Sequence, residues 1–338
     1  MNLEELNKIA VKMVAPGKGI LAADESGGTI KKRFDAIKVE NTEENRRDYR
    51  EFMFRTAAAM KNHISGVILF DETIRQKAKD GTTLVSIIEA AGSIPGIKVD
   101  AGAKPLAGCP GETVTEGLDG LRERFQEYYK LGARFAKWRA VIDIADGIPS
   151  HTAVTANTQA LARYAALAQE NGIVPIVEPE VLMDGGHGID KCEEVTEWVL
   201  KQLYSDLYTA RVALEGTILK PNMIIAGKKC PTQNSVEEVA SRTIKVLKRC
   251  VPPAVPGIAF LSGGQSDIDA TAHLDAMNRI GGLPWGLTFS YGRALQAAPQ
   301  KAWSGKTENV AAGQAAFAHR ALMNSNAALG KWSKADEA

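Results

Sequence analysis

Cysteine is scarce in this sequence. Its four cysteines, Cys109, Cys192, Cys230 and Cys250, lie far apart, with no CxxC pair and no histidine at metal-ligand spacing. That usage excludes a disulfide scaffold and fits a reducing compartment. The five histidines, His63, His151, His187, His273 and His319, are dispersed, and only His187, in Asp184-Gly185-Gly186-His187-Gly188, has an acidic neighbour worth considering. Neither HxH nor HExxH occurs, so no catalytic metal is expected. A G-x-S-x-G elbow is also missing, which removes the serine hydrolases that depend on it. Charge of one sign is not in excess: 41 Lys and Arg face 40 Asp and Glu, and the net charge of +1 supplies no global field for nucleic acid or an acidic membrane. No apolar run approaches the about 18 residues that span a bilayer. The start, Met1-Asn2-Leu3-Glu4-Glu5, lacks the basic segment and apolar stretch of a signal peptide. The expectation is a soluble, cytoplasmic protein without a nucleic-acid or membrane partner.

What is present is a regular alternation. Short β-rich runs occur at Gly19–Ala23, Gly66–Phe70, Gly96–Val99, Phe135–Trp138, Val174–Val177, Ile218–Lys220, Gly257–Leu261 and Gly286–Phe289. Helix-like runs lie between them, among them Glu43–Lys61, Val114–Leu131, Thr155–Asn171, Cys192–Leu214 and Ser235–Cys250. Several strands are continuously apolar, as when both faces are buried. Strand–helix alternation implies a parallel sheet. About eight such units predict an α/β fold of the (β/α)8 TIM-barrel type. The 338 residues suffice for one such domain, over residues 1–330, with extra N-terminal and C-terminal helices. Leu3, Leu6, Ala10, Met13 and Val14 mark one apolar helical face, and Gly305–Gly330 is an Ala-rich helical stretch. Residues 331–338 read as a flexible polar tail. The same alternation permits an open doubly wound sheet, although no GxGxxG follows the first strand.

The strand ends carry the chemistry. Reactive groups of barrels gather where strands end, and here those positions are polar. Asp24 follows the first run, the third carries Lys98, the fourth gives Lys137 and then Arg139, Glu178 and Glu180 follow the fifth, and Lys220 ends the sixth. Lys220 sits between an apolar strand and Pro221. A desolvated lysine loses its proton more easily, and a neutral amine attacks a ketone to form a Schiff base. A lysine free in water, with a pKa of about 10.4, is only roughly 0.04 % neutral at pH 7. A second ammonium about 4 Å away repels by about 4 kcal/mol at an effective dielectric near 20. Lys137 is therefore expected to help deprotonate Lys220. Each residue also has a plainer reading: Asp24 as a helix cap, Glu178 and Glu180 as a solvated pair beside a turn, Lys98 as a surface lysine, Arg139 as the partner of a carboxylate. Charges of both signs at one end of successive apolar strands favour the joint reading.

Glycines after the seventh run, in Ser262-Gly263-Gly264, allow backbone N–H groups to approach an anion. Gly292 and Arg293 after the eighth run fit the same phosphate site, Arg293 as a fixed charge. An ordinary glycine turn is the alternative.

The strand ends lie in long blocks: Gly17-Lys18-Gly19-Ile20-Leu21-Ala22-Ala23-Asp24-Glu25-Ser26, Phe135-Ala136-Lys137-Trp138-Arg139, Val174-Pro175-Ile176-Val177-Glu178-Pro179-Glu180, Glu215-Gly216-Thr217-Ile218-Leu219-Lys220-Pro221-Asn222, Leu261-Ser262-Gly263-Gly264-Gln265-Ser266 and Phe289-Ser290-Tyr291-Gly292-Arg293. In these blocks the sequence resembles class I (Schiff-base) fructose-1,6-bisphosphate aldolases. The resemblance implies reversible cleavage of fructose 1,6-bisphosphate in glycolysis and gluconeogenesis, without metal or other cofactor, by a homotetramer. It implies Lys220 as the imine-forming residue, Glu178 as general acid and base, and Asp24 as the group orienting the C4 hydroxyl. Lys137 would lower the proton affinity of Lys220, and Glu180 would hold the lysines in place. Ser262, Gly263, Gly292 and Arg293 match a C1-phosphate site, with Gly264 and Ser290 in the same motifs. Ser26, Arg33 and Lys98 match positions around the other phosphate, and Arg46 and Arg139 match residues near the substrate. Many eukaryotic members close with a tail tyrosine that aids proton exchange. The last tyrosine here is Tyr291, so slower exchange is expected. Another Schiff-base aldolase with a different sugar phosphate, or a binding protein on the same fold, are the alternatives.

Overall fold

In the computed structural model, which describes residues 2–337, eight parallel strands close into a barrel in chain order. They are β1 (Gly19–Ala23), β2 (Ile64–Leu69), β3 (Ile94–Lys98), β4 (Phe135–Ile142), β5 (Val174–Val181), β6 (Ile218–Leu219), β7 (Gly257–Phe260) and β8 (Gly286–Tyr291). β8 closes on β1, with Ile20 opposite Ser290 and Leu21 opposite Tyr291. The expected (β/α)8 barrel is the observed fold. An open sheet is ruled out because each of these strands is paired on both sides.

Side chains alternate between two buried clusters. Ile20 and Ala22, Phe135, Val174 and Ile176, Ile218 and Ala259 form an interior cluster with the N-terminal helix. The residues between them, such as Leu21, Ala136, Trp138, Val177, Leu219 and Phe260, pack under the surrounding helices. Both faces are therefore apolar, which is why the strands read as unbroken hydrophobic runs. The helix Leu3–Met13 buries Leu6, Ala10 and Met13 into the interior cluster, and so covers the N-terminal end of the barrel. Gly96 leaves room for the Phe135 ring: a Cβ there would stand 2.3 Å from it.

The strand period of two decides what happens at the other end. Asp24 continues the row of Ile20 and Ala22, Lys137 that of Phe135, Glu178 and Glu180 that of Val174 and Ile176, and Lys220 that of Ile218. All five thus continue interior rows beyond the apolar layers, at the C-terminal mouth.

Several elements differ from the sequence reading. The strands ending at Trp138 and Val177 in that reading run four residues further, so Arg139, Glu178 and Glu180 lie within strands and not beside a turn. The helix expected at Glu43–Lys61 is two helices, Glu43–Phe54 and Ala57–His63. Thr56 breaks it with a non-helical backbone while its hydroxyl donates back to Phe52 O at 2.9 Å. The run Val114–Leu131 begins as an antiparallel strand, Thr113–Thr115 against Ala103–Pro105, and becomes helical only at Leu121. Gly117 and Gly120, both at positive φ, separate the two halves. The Ala-rich stretch is an α-helix over Val310–Ala328. Within the tail, Trp332 is buried, its N–H accepted by Asp275 Oδ1 at 2.9 Å, and its indole donates to Glu337 Oε1 at 3.0 Å. Glu337 also pairs with buried Arg320. The described part of the segment read as loose is thus held by specific contacts, while Ala338 lies outside the described residues. No described helix is long and apolar enough to cross a membrane.

Candidate active site

Four side chains at the barrel mouth form a row of alternating charge. Asp24 Oδ2 lies 2.7 Å from Lys137 Nζ, which lies 3.5 Å from Glu178 Oε2. The other oxygen, Glu178 Oε1, stands 3.2 Å from Lys220 Nζ. Lys137 and Lys220 are each 4 % exposed and Glu178 3 %. Strand register produces this row. Arg139 lies opposite Glu178 across β4 and β5, and the Lys220 N–H continues the β5–β6 pairing by donating to Val177 O at 2.9 Å.

Burial of an unpaired ammonium or carboxylate costs several kcal/mol, so each group here needs a counter-charge. Burial alone would draw protons off Lys137, but Asp24 and then Glu178 reverse this and raise its pKa above the ordinary lysine value. Burial likewise pushes the Asp24 carboxyl up, yet Lys137 and then Lys220 overcome it and bring the pKa down to about 2. The lysine–lysine repulsion expected from sequence is therefore interleaved with two carboxylates. Glu178 Oε2 makes no hydrogen bond among the described residues. A buried carboxylate oxygen without a hydrogen bond has capacity left for a donor carried by a ligand.

Around this row stand cations on opposite sides of the barrel. On the β3–β4 side, Lys98 Nζ is 2.6 Å from Asp100 Oδ1, and the Arg139 N–H donates to Asp100 Oδ2 at 3.3 Å. Glu180, expected to hold the lysines, has Arg139 as its ion-pair partner. On the β7–β8 side, Gly263 adopts φ +55°, and the Gly264 N–H donates to Met183 Sδ at 3.0 Å. A thioether is a weak acceptor, so that N–H remains available to an anion. Arg293 donates to Gly263 O, and Ser262 is buried beside it. Ser290 is buried, with no partner for its hydroxyl among the described residues. Arg33 pairs with Glu25 and reaches over Gly292, its Nη2 lying 3.5 Å from where a Cβ at that glycine would be. Ser26 precedes the helix Gly27–Ala36 without a side-chain capping bond, its hydroxyl 3.2 Å from that of Thr29. Arg46 is gripped at 2.8 and 2.5 Å by the two oxygens of Glu72, and among the described residues its hydrogen bonds go to Glu72 and Asn41 and not to the Asp24–Lys220 row.

The sequence model of the fructose-bisphosphate aldolase class-I family matches residues 5–338. This chain belongs to that family. Among curated relatives, the "probable fructose-bisphosphate aldolase class 1" of Xanthomonas campestris is 60% identical over 98% of this chain and 99% of its own. The "fructose-bisphosphate aldolase 5, cytosolic" of Arabidopsis thaliana is 56% identical over 97% of this chain and 92% of its own. The fold of this aldolase superimposes with a TM-score of 0.96 on the fructose-bisphosphate aldolase of Plasmodium falciparum, solved in complex with TRAP and a small-molecule inhibitor. The two are 49% identical over 98% of this chain and 96% of that one. This aldolase is thus an enzyme of the carbon–carbon lyase class, acting on a sugar phosphate.

Sequence reasoning missed several residues of the aldolase's mouth. Arg50, fully buried, lies 3.5 Å from Glu25 Oε2 and 3.7 Å from Glu72 Oε1, linking the partners of Arg33 and Arg46. Asp100 and the pair Lys228–Asp184 were also missed. Asp100 could have been noticed, two residues past Lys98. Nothing in the spacing of Arg50 or Lys228 marks them, because they sit on a helix face and a loop whose positions depend on packing.

Proposed function

We propose that Lys220 forms the Schiff base with the C2 ketone of fructose 1,6-bisphosphate, and that the cleavage yields dihydroxyacetone phosphate and glyceraldehyde 3-phosphate. The observation that carries this reading is Lys220 Nζ, buried above an apolar floor, within 3.2 Å of one carboxylate oxygen.

The neutral amine adds to C2, and the carbinolamine loses water to give an iminium. Glu178, at hydrogen-bonding reach of the amine, takes and returns the protons of these steps. It then accepts the C4-hydroxyl proton as the C3–C4 bond breaks. The bonding electrons move into the iminium nitrogen, leaving an enamine and releasing glyceraldehyde 3-phosphate. Protonation at C3 and hydrolysis free dihydroxyacetone phosphate and regenerate Lys220. Lys137 remains cationic between Asp24 and Glu178, favouring loss of hydroxide from the carbinolamine. Asp24 orients the C4 hydroxyl, and Glu180 fixes Arg139. Ser262, Gly263, Gly264, Ser290, Gly292 and Arg293 receive the C1 phosphate. Ser26, Arg33, Lys98 and Arg139 serve the other end of the sugar, and Arg46 acts from behind. The reading includes a cytosolic homotetramer in glycolysis and gluconeogenesis; the name of the Arabidopsis relative supports the compartment, and native mass spectrometry tests the assembly.

The decisive experiment is borohydride reduction with dihydroxyacetone phosphate, followed by peptide mapping. The expected product is a stable triose adduct on the Lys220 peptide, unaffected by a chelator and missing from Lys220→Met. An adduct on another lysine, or none, refutes the assignment.

A further inference from the structure

We propose that Lys228 is a further cation of the phosphate site at the Ser262–Gly264 turn and sets how tightly that site holds a sugar 1-phosphate, an inference that rests on the reading above. Lys228 lies outside the barrel strands, yet its side chain lies across that turn. A Cβ added to Gly264 would fall 1.7 Å from Lys228 Cε and 2.1 Å from Nζ. The end of the Lys228 side chain therefore occupies the space that glycine leaves open at 264. Arg293 reaches the same turn from the other direction, through its bond to Gly263 O. Two cations from separate segments therefore reach one turn, whose Gly264 N–H is held only by a thioether.

The base of Lys228 is anchored. Its N–H donates to Met183 O at 2.7 Å, the neighbouring Gly227 N–H to His187 O at 2.8 Å and the Lys229 N–H to Gly185 O at 3.0 Å. These bonds tie the segment to residues 183–187 and direct the ammonium at the turn. Its ion-pair partner is Asp184 Oδ1 at 2.7 Å, and both side chains are substantially exposed. The hydrogen bond from Lys228, aided by the charges of Lys228, Arg293 and Arg139, holds the Asp184 carboxyl below the usual carboxylate range. That carboxylate thus lies in the positive field of Lys228 and Arg293. An exposed ion pair of this kind adds little stability. A phosphate brings more charge and three acceptor oxygens, so it competes with Asp184 for the ammonium. An ammonium suits that exchange, since it offers three donors as a mobile point charge.

The test uses the full enzyme and three variants: Lys228→Gln, Lys228→Arg and Asp184→Asn. Readouts are KM and kcat for fructose 1,6-bisphosphate and fructose 1-phosphate, and the calorimetric affinity for inorganic phosphate. Lys228→Gln is expected to raise both KM values and weaken phosphate binding roughly fivefold, the weight of one partly exposed charge-assisted contact, with kcat moved less than about twofold. Lys228→Arg restores most of that affinity. Asp184→Asn shifts both KM values in the opposite direction, because it frees the ammonium. Unchanged phosphate affinity in Lys228→Gln overturns the proposal, as does an Asp184→Asn variant that weakens binding in parallel. Phosphate binding is read without the imine. A wild type lacking the Lys220 adduct but still losing phosphate affinity on Lys228→Gln refutes the Schiff-base reading and supports Lys228.

Discussion

Glu178 Oε1 and Lys220 Nζ face each other at 3.2 Å, while the second oxygen of the same carboxylate faces Lys137 Nζ at 3.5 Å. One carboxylate therefore stands between two amines. Lys137 has Asp24 as a second counter-charge, which holds its pKa above the ordinary lysine value, so in the proposed reaction proton transfer falls on the Glu178–Lys220 contact.

Glu178→Gln keeps the size of the side chain and removes its basicity. It should lower kcat by roughly 10²–10⁴, the usual weight of a positioned general base. The triose adduct should still form on Lys220, but slowly. Quenched-flow borohydride trapping measures this, and trapping at the wild-type rate would exclude Glu178 from imine formation.

Lys137→Met removes the ammonium between Asp24 and Glu178 and leaves the two buried carboxylates with that of Lys220, beyond Glu178. Breaking a buried ion pair costs about 3–5 kcal/mol. With the Lys137 cation gone, burial raises the Asp24 carboxyl. A carboxylate raised in the folded state destabilises it above that folded pKa and not below its unfolded value. Urea unfolding should therefore show a larger loss for this variant at pH 8 than at pH 5. An equal loss at both values would mean that Asp24 is satisfied without Lys137.

In the intact enzyme Asp24 behaves in the opposite way. Its pKa falls from 3.8 to about 2 on folding, so its contribution is present above the unfolded value and is lost as pH drops through the folded one. At about 1.4 kcal/mol per unit, the linkage amounts to about 2 kcal/mol. The stability difference between wild type and Asp24→Asn should shrink by this order between pH 5 and pH 2. Acid unfolding followed by circular dichroism checks it, and a constant difference would contradict the ion pair.

The barrel interior offers a packing test. Gly96→Ala places a methyl group 2.3 Å from the Phe135 ring. Overpacking of this kind costs about 1–3 kcal/mol. The double variant Gly96→Ala, Phe135→Leu should be less destabilised than the sum of its single changes, because the smaller side chain admits the methyl. Additive losses in denaturant titrations would show that the two residues do not compete for space.

Much of this protein was legible in the chain itself. Runs such as Gly19–Ala23 and Gly257–Leu261 are continuously apolar, and their alternation with helical runs pointed to buried parallel strands. Asp24, Lys137, Glu178 and Lys220 stood out because each is a charge at or just past the end of an apolar strand run. The same rule hid the true ends of β4 and β5, since Arg139, Glu178 and Glu180 interrupt the hydrophobic pattern while the backbone stays extended. Local spacing also misread the helix at Thr56 and the hairpin strand Thr113–Thr115. Pairings belong to another level. That Glu180 meets Arg139, that Glu178 divides two lysines, and that Lys228 lies over Gly264 depend on strand register, barrel closure and loop anchoring. Side-chain periodicity is a property of neighbours along the chain, so sequence carries it. Which charges touch is set by distances between segments remote in sequence, and only the folded barrel creates those distances.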